Sequence, residues 1–305
     1  MKIKISPTGP ELSQMTYGVW RMLNEKDGAT TSALQKKVDI CLEHGITTFD
    51  HADIYGDYEC ERVFGDFLRA HPSYKNKIQI VTKCGIALLS KKRPEHWIKH
   101  YNYSQEHIQL SIENSLKNLG VDHLDMVLFH RPSPLMNPDE LAEITSSLTR
   151  QGKVRHWGVS NATSAQCRML SSRMDIHTNQ IEANPLFIKH FLDGTIDYCV
   201  EKKISPMFWS PLAGGRLFKS KEFFDSQSPG EQKVVHTLGI LSEKYNQPVD
   251  VVVYNWLLQH PSKPIIVLGT NKTDRIQSSV SAFNFKMDLQ DWFSLWQAAL
   301  RAEVP

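Results

Sequence analysis

Tyr17-Gly18-Val19-Trp20-Arg21-Met22-Leu23 is the first β-rich run of the chain together with the residues that leave it. A doubly wound dinucleotide-binding sheet places a G-x-G-x-x-G turn at this point, because glycines let the backbone approach a pyrophosphate. Here one glycine is followed by bulky residues, and no G-x-G-x-x-G occurs anywhere in the chain. Outward from this stretch the same alternation repeats. Further β-rich runs stand at Thr47–Phe49, Ile78–Thr82, Met126–Phe129, Val154–Val159, Thr178–Ile181, Pro206–Trp209 and Ile265–Leu268. Helical periodicity fills stretches between them: 30–44, 58–70, 104–119, 138–150, 163–173, 193–203 and 272–282. Eight strand–helix units of about 30–40 residues each predict a closed (β/α)8 TIM barrel. The expectation is one domain over residues 1–305.

Local punctuation supports the helix ends. Ser104 can N-cap the third helix, and Asn137-Pro138-Asp139-Glu140 reads as N-cap, first-turn proline and acidic first turn. Gly45, Gly120 and Gly152 stand where helix-ending glycines belong. Three segments lie outside the repeat. Residues 2–14 predict an N-terminal hairpin around Pro7-Thr8-Gly9-Pro10 that plugs the barrel floor. Residues 211–230 predict an unusually long loop after the seventh strand, of the kind that usually binds or covers a ligand. The extra C-terminal helix 288–300, with Trp292, Phe293, Leu295, Trp296 and Leu300, is expected to pack across an opening of the barrel.

The chain has 305 residues, 41% hydrophobic and 22% charged, which is the composition of a globular protein. Thirty-five Lys plus Arg against 33 Asp plus Glu leave a formal charge of +2, giving no electrostatic case for a nucleic-acid or membrane-surface partner. The five cysteines are odd in number and scattered without a Cys-x-x-Cys pair, which disfavours a disulfide framework and a zinc site. The N-terminus lacks an apolar signal region, and no apolar run reaches the roughly 18 residues a membrane helix needs. A cytoplasmic monomer is the expectation.

In such a barrel the catalytic side chains project from the C-terminal strand ends. Strand one delivers Gly18 and Trp20, and strand two delivers Asp50, His51, Asp53 and Tyr55. Strands three to eight deliver Lys83, His130, Ser160-Asn161, Gln180, Trp209-Ser210 and Gly269-Thr270. An acid, a phenol, an ammonium and an imidazole thus come from three consecutive strand ends. A Lys beside a tyrosine favours the phenolate, and an Asp beside that Lys compensates its buried charge. The expected result is a Tyr55 able to donate and accept protons near neutral pH. Cys84, directly after Lys83, should point away from the lumen by strand alternation and serve as a packed thiol.

These residues also resemble a family. Phe49-Asp50-His51-Ala52-Asp53-Ile54-Tyr55-Gly56 looks like the Asp…Tyr-Gly segment of the aldo-keto reductases. Ser104–Leu119, then Gly120-Val121-Asp122-His123-Leu124-Asp125 and Leu128-Phe129-His130, resembles a second signature. Gly158-Val159-Ser160-Asn161, Gln180-Ile181-Glu182-Ala183-Asn184-Pro185, Ser210-Pro211-Leu212 and Leu268-Gly269-Thr270…Arg275-Ile276 follow in order. The likeness covers essentially the whole chain and is nearest to the bacterial oxidoreductase branch.

The resemblance implies NADPH-dependent reduction of an aldehyde or ketone. Tyr55 would be the general acid, Lys83 and Asp50 its tuning partners, and His130 the group orienting the carbonyl. Ser160, Asn161 and Gln180 would hold the nicotinamide carboxamide, with Trp209 as stacking platform where most members have Tyr. Trp20, Arg21, Asp50, Ser210, Pro211, Leu212, Gly214 and Arg216 would complete the near part of the cofactor site. Gly269, Thr270, Arg275, Ser278 and Ser279 would complete the far part. Arg275 lies early in the helix after strand eight, where its guanidinium fork suits the 2′-phosphate that distinguishes NADPH. No metal is implied. His51 replaces a commoner Thr, Gly269-Thr270 stands where some members have Lys-Ser, and the segment after Phe285 lacks a long substrate loop, implying a more open pocket. Two rival readings compete: a metal-dependent hydrolase using His51, Asp53, Lys83 and His130, and a nucleotide-binding regulatory subunit without turnover.

Overall fold

The computed structural model describes residues 1–24, 29–219 and 229–304. Eight parallel strands close into a barrel: β3 (Met15–Gly18), β4 (Thr48–Asp50), β5 (Gln79–Cys84), β8 (Leu124–Phe129), β9 (Val154–Ser160), β10 (Asn179–Glu182), β11 (Met207–Trp209) and β12 (Ile265–Leu268). They pair in chain order, and β12 returns to β3 with Val267 opposite Thr16. Runs such as Ile80-Val81-Thr82 and Ile265-Ile266-Val267 are β-branched and buried on both faces, as strands shielded by an outer helical layer must be.

The alternation of side chains divides the core in two. Phe49, Val127, Phe208 and Ile266 face outward to the helices. Val81, Met126, Leu128, Met207, Ile265 and Val267 fill the lumen. The expected floor plug is present. β1 (Lys2–Lys4) and β2 (Glu11–Ser13) form an antiparallel hairpin, and its Ile5 and Leu12, both fully buried, pack onto the lumen set. With the floor closed by apolar residues, polar lumen residues accumulate at the opposite end.

The helices begin and end largely as read. α1 (Thr31–Glu43) and α2 (Cys60–Ala70) flank β4 in the chain. In α3 (Gln105–Leu119), Ser104 Oγ accepts from the His107 amide at 3.3 Å, and Gly120 ends the helix at φ 67°. Asn137 caps α4 (Pro138–Arg150) with proline in its first turn. α5 (Ser164–Ser171) carries a full capping box between Thr163 and Gln166. The stretch 193–203 holds α7 (Thr195–Glu201), and the short α6 (Lys189–Leu192) precedes it.

Four features differ from the sequence expectation. A small hairpin, β6 (Ile86–Ala87) with β7 (His100–Tyr101), follows strand β5. Two helices, α8 (Pro229–Tyr245) and α9 (Val249–Leu258), precede β12. α9 reads Val-Asp-Val-Val-Val-Tyr-Asn-Trp-Leu-Leu and is buried along nearly all its length, so it carries no polar face to reveal a helical period. The loop expected at 211–230 contains a 3-10 turn at Ala213–Phe218, and its residues 220–228 lie outside the described residues. After α10 (Thr273–Ser279), α11 (Leu289–Leu300) does not cross an opening of the barrel. Its Trp292 and Trp296 stack with each other at 5.6 Å, and Trp292 lies 5.3 Å from Trp256 of α9, so it braces the outer helical layer.

Gly65 shows how tightly that layer meets. A Cβ there would lie 1.8 Å from the Asn118 carbonyl oxygen at the end of α3. Alanine normally stabilises a helix interior by about 1 kcal/mol over glycine. Here Gly65→Ala should destabilise the protein by about 1–3 kcal/mol, the usual cost of overpacking. Denaturant melts of the two proteins check this, and a stabilised variant would show that α2 and α3 can separate freely.

Candidate active site

Asp50, Lys83 and Gln180 stand on β4, β5 and β10 and meet in the lumen above the apolar floor. Lys83 is 1% exposed, and its ammonium donates to both carboxylate oxygens of Asp50 at 2.9 and 2.8 Å and to the His51 carbonyl at 2.7 Å. It also donates to the Tyr55 hydroxyl oxygen at 3.0 Å. Gln180 Nε2 donates to Asp50 Oδ1 at 2.8 Å, across 130 residues of sequence. The ring of His130 stands edge-on to Tyr55, with centroids 6.0 Å apart. Because the Tyr55 oxygen accepts from Lys83, its own hydrogen remains available to a group in the cleft.

Burial raises the Tyr55 phenol above its ordinary value; Lys83 pulls it down and Asp50 pushes it up. The expected lowering is therefore outweighed, and at neutral pH Tyr55 holds its proton. Burial disfavours the Lys83 ammonium, yet Asp50 and Tyr55 more than offset this and raise it. His130 is held well below the usual histidine range by burial, then by Lys83, Arg131 and Lys99. It is a neutral imidazole, suited to hydrogen-bond a substrate oxygen rather than to protonate it.

A cleft of about 780 Å³ opens over these groups. Trp20, Arg21, Asp50, Tyr55 and His130 line it. So do Ser160, Asn161, Gln180, Trp209 and Ser210. Pro211, Leu212, Gly214, Gly269, Thr270 and Arg275 line it as well. Asn161 takes a left-handed φ of 57°, which asparagine tolerates, and its Oδ1 accepts from Trp209 Nε1 at 3.1 Å. Its Nδ2 donates to Ser160 Oγ at 2.7 Å, so amide, hydroxyl and indole form one polar cluster. Gly214 and Gly215, at φ 68° and 95°, present bare backbone to the cleft. A flat ring on Trp209 and a phosphate-bearing chain along these glycines fit the residues present.

Three expected cofactor ligands lie elsewhere. Arg216 is paired with Glu231. Ser278 and Ser279 turn their hydroxyls back to the carbonyls of Arg275 and Ile276, and Ser279 is fully buried. The cleft also contains residues that sequence reading did not single out as ligands. Asn24, Ile54, Asp57, Gly215, Phe218 and Asn271 are among them. Ile86, Leu88 and Lys99 arrive on the hairpin after β5, which no periodicity announces. Arg131 adjoins His130 and lies in plain sight in the sequence, but nothing in its spacing marks it as different from a loop residue.

The aldo/keto reductase family model matches residues 14–299. This chain belongs to the aldo/keto reductase family. It is 42% identical over 307 residues to the oxidoreductase YdhF of Escherichia coli K12, covering 100% of this chain and 99% of the relative. It is 39% identical over 296 residues to a 6-dehydroglucose reductase of Agrobacterium fabrum C58, covering 96% of both. Among solved structures it is similar to a thermostable aldo-keto reductase, Tm1743, crystallised with the inhibitor epalrestat. That likeness has a TM-score of 0.78 at 20% identity and covers 98% of this chain and 99% of the other.

Behind the cleft of this reductase lies a second polar layer. His51 is fully buried edge-on against Phe64, away from the lumen, and neither ring nitrogen has a partner. Burial and then Lys83 push it down to about 3, so it stays neutral and does not reach a substrate. Asp53 turns onto α3, where Ser111 Oγ donates to it at 2.7 Å. The ligand set of a metal-dependent hydrolase is therefore not assembled at the cleft. Cys84 faces outward beside Phe129 and Tyr103 in the helical core, and burial raises its thiol well above the usual range. It is a packed thiol, as strand alternation requires.

Glu61 of α2 is 2% exposed and accepts from Thr82 Oγ1 at 2.6 Å. Burial raises its carboxyl to about 7, against partial opposition from Thr82, Ser115 and Lys83. Below about pH 4.5 the group is protonated folded and unfolded alike, and contributes nothing to pH dependence. Between pH 4.5 and 7 the unfolded chain releases the proton first, so stability falls as pH rises, and above 7 the penalty is complete. Glu61→Gln should raise Tm at pH 8 by at least about 2 °C and leave it almost unchanged at pH 4.5. Equal gains at both pH values would assign the effect to packing instead of charge.

Proposed function

We propose that this aldo/keto reductase reduces the carbonyl group of a small aldehyde or ketone to an alcohol, with NADPH as hydride donor and Tyr55 as proton donor. The observation that carries the reading is the Lys83 ammonium, fixed by Asp50 and donating to the Tyr55 oxygen at 3.0 Å. A bound NADPH supplies the hydride that the carbonyl carbon accepts. Tyr55 donates its proton to the carbonyl oxygen as the negative charge develops there. The ammonium stabilises the phenolate that remains, until solvent restores the proton. Neutral His130 donates a hydrogen bond to the same oxygen and fixes its direction. Asp50 keeps Lys83 charged, and Gln180 keeps Asp50 in place.

Cofactor recognition divides along the cleft. Ser160, Asn161 and Gln180 hold the carboxamide beside the Trp209 face, while the bare backbone at Gly214 and Gly215 admits the pyrophosphate. At the far end the Arg275 guanidinium packs 4.5 Å from the Phe218 ring centre, a position suited to the 2′-phosphate. A regulatory subunit that binds nucleotide without turnover is the rival, and NADPH consumption with a panel of aldehydes and ketones separates the two.

Tyr55→Phe should fold and bind NADPH yet lose roughly 10²–10⁴-fold in the chemical step, the usual share of a general acid. Single-turnover NADPH oxidation measures this, and a loss below tenfold would remove Tyr55 from the role. Arg275→Met should weaken NADPH by about ten- to a hundredfold while barely changing NADH, since a charge-assisted contact contributes about 1.5–3 kcal/mol. Equilibrium titration of both cofactors at one salt concentration decides it. Equal losses, or none, would mean that Arg275 contacts no 2′-phosphate.

A further inference from the structure

The substrate end of the cleft holds two cations that the proposed chemistry does not use. Arg131 follows His130 directly, and Lys99 reaches the same mouth from the hairpin after β5. Neither forms an ion pair among the described residues, whereas the buried Lys83 and the half-buried Lys153 and Arg216 do. Arg131 is held in place. Its carbonyl accepts from the buried Tyr103 hydroxyl at 2.5 Å, and its amide donates to the same oxygen at 3.1 Å. Tyr103 in turn fills the space beside Gly85, where any Cβ would meet its ring at 2.2 Å. The guanidinium stands 5.6 Å from the centre of the Trp209 ring.

Lys99 is positioned by equally local means. It immediately precedes β7, which pairs with β6 two residues beyond catalytic strand β5. Both cations act electrostatically on His130. The opposing acids are weaker competitors. Glu182 feels Arg131, but its Oε1 already accepts from Asn184 at 3.2 Å. Asp57 lies on the exposed rim of the mouth, beside Gly56. Asp50 is committed to Lys83.

The backbone of Arg131 is fixed by Tyr103, and among the described residues its guanidinium, beside the Trp209 ring, has no carboxylate partner, so its planar fork is free for an anion. We propose that this mouth selects carbonyl substrates carrying a carboxylate, which Arg131 grips bidentately with Lys99 beside it, while the carbonyl faces Tyr55 and His130. Ile54, Ile86 and Leu88 line the space between and suit a short apolar spacer. This rests on the carbonyl-reductase reading above and names the substrate class of the same site.

The test compares 4-carboxybenzaldehyde with its methyl ester, which keeps the ring substituent but removes the charge. The parent enzyme should prefer the acid by about ten- to a hundredfold in kcat/KM, mostly through KM, as one charge-assisted contact predicts. Glyceraldehyde 3-phosphate against glyceraldehyde forms a second arm, in which a smaller ratio is expected. The acid preference should shrink in 0.5 M salt, because the exposed Lys99 is screened. Arg131→Gln with Lys99→Met should bring the acid-to-ester ratio near one, and Arg131→Lys should restore part of it. A ratio near one in the parent, or one that survives the double substitution, would overturn the proposal. So would a larger ratio for the phosphate pair, which would assign the mouth to phosphate esters. Absence of turnover with every aldehyde would instead sink the carbonyl-reductase reading, and the substrate claim with it.

Discussion

Two charges, Lys83 and Asp50, are sealed inside the barrel lumen, and the site is arranged around keeping them paired. Each would cost several kcal/mol to dehydrate alone, so the pair persists only with its remaining hydrogen-bonding capacity met. The structure meets it from three directions: the His51 carbonyl, the Tyr55 oxygen and the Gln180 amide. The first two come from the turn after β4, and the third from β10, far away in sequence. Only closure of the sheet brings Gln180 to Asp50. The barrel is thus a requirement of the site as well as its scaffold, and an open sheet with the same strands would leave Asp50 half-satisfied.

The same ion pair explains which parts of the site were legible in sequence. Asp50, Tyr55, Lys83 and His130 stand at strand ends, and a period of two fixes which of them face the lumen once the strands are placed. Cys84 was fixed by the same rule in the opposite sense, one position along from Lys83, whereas the sequence left His51 among the strand-end groups and burial against Phe64 decides its place. The ionisation of Tyr55 was not legible. Spacing revealed an ammonium beside a phenol, but the net direction depends on burial and on how strongly Asp50 already occupies that ammonium. Ser278 and Ser279 failed to reach the cleft for a local reason: helix serines readily bond the carbonyl one turn back, as both do here.

Legibility of the fold follows a similar line. Segments with one wet and one dry face were readable, because the contrast carries the period. α9 has no such contrast, and its three consecutive valines argue for a strand until tertiary burial is known. α11 shows an apolar face but not its destination, since a stripe of tryptophans suits a barrel end and an outer helix equally. The β6–β7 hairpin has only two residues per strand and leaves too short a pattern to detect, yet it delivers Ile86 and Lys99 to the mouth.

Net charge concealed the most informative electrostatic feature. A surplus of +2 over 305 residues describes an almost neutral chain, but the cleft is not neutral. Lys83, Arg131 and Lys99 converge on one imidazole, while a single buried carboxylate compensates only the first. Burial, reinforced by that local field, removes His130 as an acid at neutral pH, which in the proposed reaction leaves Tyr55 as the sole proton source. It also favours any developing oxyanion at the carbonyl and any fixed anion on the substrate. The proposed mechanism and substrate choice then share one physical origin: cations gathered at the mouth opposite the apolar floor, where Asp50 and Glu182 are already engaged.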